Sequence, residues 1–214
     1  MQKLVIFDLD GTLIDSLPDI YEQVSLTLKE FNQPIRSFDE VRTFIGHGAR
    51  QLIQNCFTST DEQVVEKGLK YYNEHYTNCG SPNTSVFNGV SELILALKER
   101  GFKVAILTNK PQMTADEVYK KYLSHLNFDM VVGQSEKVKC KPDKSATLFI
   151  MKELDADPKA TYFVGDDITD VLTAINANVK GISALWGYRE KELLVNAGAV
   201  RFALNPMDVL SFIE

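Results

Sequence analysis

Residues 4–16 read LVIFDLDGTLIDS. An apolar run, Leu4 to Phe7, delivers Asp8 and Asp10 and then Gly11-Thr12. Strand side chains alternate faces, so residues two apart point the same way. Two carboxylates at the end of a buried strand are therefore aimed at one small volume. Like charges that close repel, and such a pair needs a cation, a shared proton or a division of labour. Two solvated aspartates in a loop would need none of these. DxD alone is common enough for that bland reading to compete; the company this pair keeps further along the chain decides against it.

Working outward, short apolar runs recur at residues 3–7, 103–107, 129–132, 161–164 and 181–185, with helical stretches between them. Several lack alternation, as strands buried on both faces do. Segment 90–100 carries Leu93, Ile94 and Leu97 on one side and stops at Gly101, a good C-terminal cap. Segment 146–154 offers Leu148, Phe149 and Met151. Strand–helix alternation predicts an α/β fold: a Rossmann-like parallel sheet with right-handed crossovers.

One stretch breaks the rhythm. From about Leu17 to Cys79 no convincing strand occurs. Leu17, Ile20, Tyr21, Val24, Leu28 and Phe31 follow helical spacing, and Leu69, Tyr72 and Tyr76 continue an apolar stripe. Ser37-x-x-Glu40 and Thr60-x-x-Gln63 both have the capping-box pattern of a helix start. The spacing predicts an inserted all-α unit of about four helices, residues 16–80, within a core built from residues 1–15 and 81–214. Residues 78–88, with Gly80 and Pro82, read as the return linker.

The chain of 214 residues has room for such a core and a small accessory domain. Its net charge of −6 argues against a nucleic-acid surface. No run approaches the roughly 20 apolar residues of a membrane span, and the apolar opening is too short for a secretion signal. Cys56, Cys79 and Cys140 lack metal-site spacing and cannot all pair, so a reducing cytoplasm is the expected setting. The sequence leaves the oligomeric state open.

In open α/β sheets, ligands bind beyond the carboxyl ends of the strands. Every polar signal here stands at such an end. Thr108-Asn109-Lys110 follows one apolar run, Lys141-Pro142 comes after the next in VKCKPDK, and residues 165–170, GDDITD, follow another. One strand ending in a carboxylate means little; four ending in complementary groups predict a site. The chemistry that wants this set is phosphoryl transfer. A phosphate dianion repels a carboxylate, and a Mg²⁺ ion can clamp and neutralise both. Magnesium prefers oxygen ligands and keeps several waters, so Asp8 and Asp166 suffice as side-chain ligands. Thr108, Asn109 and Lys141 can hold phosphoryl oxygens, which leaves Asp10 as acid and base.

This arrangement resembles the haloacid dehalogenase superfamily, specifically its Mg²⁺-dependent phosphatases. DLDGT at 8–12, the threonine of LTNK, the lysine of KPD and the acidic GDDITD stand in that family's order, and the match spans nearly the whole chain. The resemblance makes Asp8 the nucleophile and a metal ligand. Asp10 becomes the acid/base, with its backbone carbonyl on the metal, and Asp166 completes the metal site. Thr108 and Asn109 hold phosphate, Lys141 offsets charge, and Asp170, with Asp167 beside it, has a supporting role. The helical insert resembles the family's cap domain, and the expected substrate is a small phosphorylated metabolite.

Bland readings stand beside several of these. Asp166 and Asp170 would also suit a helix N-terminus. Lys137, Lys139 and Lys144 read as solvated surface charges, and Lys110, before Pro111, as exposed. In the insert, Gly46-His47-Gly48-Ala49-Arg50 interrupts a helical pattern with two glycines, a break that lets backbone approach something closely. Arg50 is the expected partner of a substrate carboxylate, against a solvated arginine in a plain turn; His47 leans towards solvent. GHGAR, LTNKP and ALWGYREKELL resemble phosphoglycolate phosphatases, the last two recurring in related branches. The alternatives are a pyrophosphatase, a nucleotidase, a sugar-phosphate phosphatase or a phosphoglucomutase-type mutase. From another class, receiver domains that signal through a long-lived aspartyl phosphate share the residue types. Their acidic pair and phosphorylated aspartate lie on separate strands, whereas here the acid stands two residues from the nucleophile.

Overall fold

The computed structural model describes residues 2–213. In chain order the strands are β1 (Gln2–Phe7), β2 (Ile14–Asp15), β3 (Ser85–Val86), β4 (Phe102–Pro111), β5 (Met130–Gln134), β6 (Ala156–Gly165), β7 (Lys180–Ala184) and β8 (Phe202–Ala203). The α-helices are α1 (Leu17–Glu30), α2 (Phe38–Phe44), α3 (Ala49–Cys56), α4 (Glu62–Asn78), α5 (Val90–Glu99), α6 (Gln112–Val118), α7 (Ser145–Glu153), α8 (Ile168–Ala177) and α9 (Lys191–Asn196). Six strands form one sheet in the order β5-β4-β1-β6-β7-β8, every pairing parallel. The chain builds outward from β1 on one side and returns to build on the other, so β1 lies at the switch point where such sheets bind ligands.

Burial of the sheet on both faces accounts for its unbroken apolar runs. Val5 and Phe7 of β1 face Leu93, Ile94 and Leu97 of α5, while Leu4 and Ile6 face Ile150 and Met151 of α7 and Ala174 of α8. On α7 the buried stripe is Ala146, Thr147, Ile150 and Met151; Leu148 and Phe149, which the sequence offered as core, are exposed. Strands β2, β3 and β8 escaped the sequence reading because two residues are too few to show a period.

Helices α1–α4 fill the stretch between β2 and β3 and have an apolar core of their own. Leu17, Ile20, Val24, Leu28, Val41, Leu52, Ile53, Tyr72 and Tyr76 meet there, apart from the clusters on the sheet. We propose residues 16–80 as a cap domain over a core of residues 1–15 and 81–214, on the strength of this separate packing. The Ser37–Glu40 capping box forms as expected. The Thr60–Gln63 box does not: Asp61 caps α4 instead, its carboxylate accepting from the Gln63 N–H. A charged acceptor at that position complements the helix dipole better than a hydroxyl.

The return segment is tied down rather than a bare linker. Strands β2 and β3 pair antiparallel, Ile14 opposite Val86 and Asp15 opposite Ser85. Asp19, fully buried in the first turn of α1, accepts from the Asn83 N–H at 3.1 Å and from the Thr84 hydroxyl at 2.6 Å. Both chain crossings between cap and core are thereby fastened to each other.

In the cap core Gly68 of α4 packs directly on the ring of Phe57. A Cβ added at Gly68 would collide with that ring. Alanine is the better helix former by about 1 kcal/mol, but overpacking costs about 1–3 kcal/mol. Gly68→Ala should therefore destabilise by up to about 2 kcal/mol, lowering the melting temperature by up to about 8 °C. A thermal melt at or above that of the parent would show that the ring yields freely.

Candidate active site

The sequence-predicted groups, joined by Lys110, converge at the carboxyl ends of β1, β4 and β6, with Lys141 from the segment after β5. Asp8, Asp10, Thr108, Asn109, Lys110, Lys141, Asp166 and Asp167 line one cleft, which the cap closes with Ile20, Ile45, Leu52, Tyr72 and Tyr76. The cavity between cap and core measures about 50 Å³. Space that tight suits a small ligand.

Lys141 lies at the centre. Its buried ammonium reaches Asp8 at 2.6 Å and Asp170 at 2.7 Å. Asp170 Oδ2 also accepts from the Asp167 N–H at 2.9 Å, while Asp167 accepts from Thr169, so the pair forms a capping box at the start of α8. The helix-terminal reading and the site reading both hold here: the acidic turn that caps α8 also aims Asp170 at Lys141. Asp166 accepts from the Thr12 hydroxyl and the Tyr188 N–H, each at 2.8 Å. Gly11 has φ of +85°, and a Cβ there would overlap the Asp166 carboxylate. The glycine after DLD is thus required by close approach as well as by its backbone conformation.

Asp8, Asp166 and Asp170 are buried, and their carboxylate oxygens lie within 4.8 Å of one another. Burial, and then the charge of Asp170, pushes Asp8 up to about 8. Burial and the Asp8 charge raise Asp166 to about 7. Burial raises Asp170 to about 6 against the pull of Lys141. Burial alone would lower Lys141, but Asp170 and Asp8 outweigh it and hold the ammonium charged. One cation cannot neutralise three buried carboxylates, so lysine and acids rise together.

The charge count makes this quantitative. Asp10 pairs with Lys110 at 2.8 Å and Asp167 with Arg189 at 2.7 Å, two balanced pairs. With all three carboxylates ionised, Asp8, Asp166 and Asp170 against Lys141 leave −3 + 1 = −2. A divalent cation with a taste for carboxylate oxygen closes that balance, so the residues fit such a metal. The sequence expectation placed Asp8 and Asp166 on the metal through their carboxylates and Asp10 through its backbone carbonyl; the side-chain cluster adds Asp170 to Asp8 and Asp166, while the Asp10 carboxylate faces Lys110.

Other placements depart from the sequence reading. Arg50 does not line the cleft. It is exposed on α3 and paired with Glu62 and Glu66 of α4, which draw it to the cap's outer face. His47 is also exposed. Gly46 matters through its backbone: φ is +109°, a Cβ would lie 2.5 Å from Asp167 Oδ2, and its carbonyl accepts from Asn109 Nδ2 at 2.8 Å. The Asn109 amide, expected on phosphate, is committed to that bond and to the Lys141 backbone, accepting from its N–H at 2.7 Å. Thr108 keeps its hydroxyl hydrogen available, since its oxygen accepts from the Lys110 N–H at 3.1 Å. Lys137, Lys139 and Lys144 are exposed as expected.

Lys110 is a correction of another kind. Read as exposed, it is buried, with Asp10 and the Tyr76 hydroxyl as partners. The signal was present: Thr108 and Lys110 stand two apart on β4, as Asp8 and Asp10 stand two apart after β1. Ser16, Tyr188 and Arg189 were also missed. The Ser16 hydroxyl donates to Asp10 at 2.5 Å. Tyr188 OH accepts from the Ser16 and Leu17 N–H groups at 3.0 and 3.1 Å, and Arg189 donates to the Arg42 carbonyl at 2.7 Å and to that of Ile45. No local pattern marks such long-range bonds.

A parallel sheet carrying a paired-aspartate strand end, a buried lysine and an acidic turn, under a helical insert, defines a class. The family model described as haloacid dehalogenase-like hydrolase matches residues 5–184, and the chain belongs to that family. Among its relatives, phosphoglycolate phosphatase 1 of Pseudomonas aeruginosa is 34% identical over 194 residues, covering 88% of this chain and 71% of that protein. The phosphoglycolate phosphatase of Colwellia psychrerythraea is 29% identical over 198 residues, 89% and 88% of the two chains. A crystal structure of a predicted phosphoglycolate phosphatase from Haemophilus somnus 129pt superposes with a TM-score of 0.90 at 26% identity, covering 99% and 97%. Among the described residues no helix is long and apolar enough to cross a membrane.

The raised carboxylates set a pH dependence for the metal-free protein. Asp8 and Asp166 hold protons when folded up to about 8 and 7, whereas an unfolded aspartate releases its proton near pH 3.9. Between those limits the folded state binds more protons, so stability falls as pH rises from about 4 to about 8. Thermal melts in EDTA should therefore drop across this interval. Added Mg²⁺, which binds the ionised carboxylates, should stabilise more at pH 8 than at pH 5. Melts insensitive to both pH and metal would contradict the charge count.

Proposed function

We propose that this chain is a Mg²⁺-dependent phosphatase of a small phosphomonoester, phosphoglycolate above others, working through an aspartyl phosphate. The observation that carries the reading is the convergence of Asp8, Asp10, Thr108 and Lys141 on one cleft whose charged groups sum to −2. The named activity of the relatives at 34% and 29% identity supports the substrate. The three free cysteines suit a reducing compartment, and we place the protein in the cytoplasm.

In this mechanism an Asp8 oxygen attacks phosphorus and the bond to the ester oxygen breaks. Asp10, a carboxylate paired with Lys110, takes up a proton from water as substrate binds and gives it to that departing oxygen, and the alcohol leaves. Lys141 holds Asp8 in place and spreads positive charge towards the phosphoryl oxygens, and the Thr108 hydroxyl donates to one of them. Asp10, now a carboxylate, takes a proton from water as the water oxygen attacks phosphorus, which releases phosphate and restores Asp8. Mg²⁺ held by Asp8 and Asp166, with Asp170 beside them, would neutralise nucleophile and phosphate and let two anions meet. Asp170 and Asp167 keep Lys141 and the start of α8 in register.

Phosphate release should require Mg²⁺, cease in EDTA and favour phosphoglycolate over pyrophosphate, nucleotides and sugar phosphates. Asp8→Asn should abolish turnover with the fold intact, and Asp10→Asn should lower it by about 10²–10⁴-fold. Steady turnover by the Asp8 variant would refute the nucleophile. Isomerised product in place of free phosphate would turn the reading to a mutase.

A further inference from the structure

Lys110 has no part in the mechanism above, yet its ammonium is among the most enclosed charges in the cleft. Its side chain is only 3% exposed. It donates to both Asp10 oxygens, at 2.8 and 3.0 Å, and to the Tyr76 hydroxyl at 2.9 Å, and it lies 4.6 Å from the centre of the Tyr76 ring. A buried ammonium is retained at a cost in desolvation unless its partners are well placed. Here the partners join two bodies: Asp10 belongs to the catalytic strand end and Tyr76 to the cap helix α4.

Among the residues that line the cleft, the cationic side chains are Lys110 and Lys141. Lys141 is committed to Asp8 and Asp170 at the phosphate end. Thr108, whose hydroxyl can take a phosphoryl oxygen, precedes Lys110 by two residues on the same strand, a step of about 6.6 Å. A ligand with phosphate at Thr108 and a short tail running along β4 towards the cap therefore meets Lys110 next. Around it the walls are apolar or aromatic: Ile20, Leu52, Tyr72 and Tyr76. Arg50, the cation that the sequence offered for a substrate carboxylate, lies outside.

We propose that Lys110 selects the substrate by receiving an anionic tail, a carboxylate one or two carbons from the phosphate, as the cap closes. The inference rests on the phosphatase reading and names the residue that sets its substrate class. Asp10 also accepts from Ser16 at 2.5 Å, so it keeps a partner when Lys110 turns to the ligand. Exchanging one carboxylate for another leaves the ammonium paired throughout. A neutral tail offers no such exchange and gains nothing from Lys110, which makes the site discriminate by charge.

The test compares phosphoglycolate with ethyl phosphate, the same chain length without the carboxylate, under Mg²⁺. The parent should prefer phosphoglycolate. Lys110→Gln and the apolar near-isostere Lys110→Met should both shrink that preference, by about 10–100-fold in the ratio of kcat/KM, with the larger change in KM. Lys110→Arg should restore part of it. An equal fall on both esters would overturn the assignment and leave Lys110 as a positioning group for Asp10. A parent with no preference between the esters would overturn it alone, whatever the variants' folding. A parent that releases phosphate from neither ester, nor from any other, would overturn the phosphatase reading as well.

Discussion

A single buried ammonium facing three buried carboxylates is the constraint on which the rest of the site depends. Lys141 bridges Asp8 and Asp170, and Asp166 completes the cluster. In a low-dielectric interior this imbalance holds the carboxylates' proton affinities high, and it prepares a place for a divalent cation. The fold supplies what that placement needs. Parallel strands end on one edge, so groups far apart in the chain arrive together, and the start of α8 brings backbone N–H groups and its capping acids to the same point.

A second set of bonds keeps cap and core in register over this cluster. The segment after β7 reaches three ways: the Trp186 indole N–H donates to the Thr12 carbonyl, Tyr188 braces the start of α1, and Arg189 joins Asp167 to carbonyls at the end of α2. Asn109 ties the Gly46 carbonyl to the Lys141 backbone. The Trp186 bond stays within the core, Tyr188 and Arg189 cross to the cap, and Asn109 joins a cap carbonyl to the lysine loop. The β2–β3 ribbon and Asp19 add a further tie, joining the two chain crossings to each other.

Signals that depend on spacing alone mark groups that the fold brings together in one cleft, and a helix cap that forms. Asp8 and Asp10, the lysine before Pro142, the acidic turn after β6 and the Ser37–Glu40 box all rest on fixed offsets. The departures share one origin: each side chain meets partners from elsewhere in the chain. Lys110 was read as exposed because nothing nearby in sequence could bury it, whereas Asp10 and Tyr76 do so from 100 and 34 residues away. Arg50 was read towards a ligand because Glu62 and Glu66, which hold it on the surface, belong to another helix. The Asn109 amide was assigned to phosphate because its engagement by Gly46 and Lys141 is visible only in space.

By itself, then, the sequence determined the parallel α/β sheet, the helical insert and the chemical types gathered at the strand ends. Periodicity, caps and residues two apart on a strand are properties of short segments, set by backbone geometry and hydrophobic burial. Which carboxylate faces which cation was decided only by tertiary structure. Asp10 turned to Lys110, Asp170 joined Asp8 and Asp166, and Arg50 was drawn away from the cleft. Buried charges must find partners, and the partner that wins is the one the packed chain places within hydrogen-bond reach, whatever its distance in sequence.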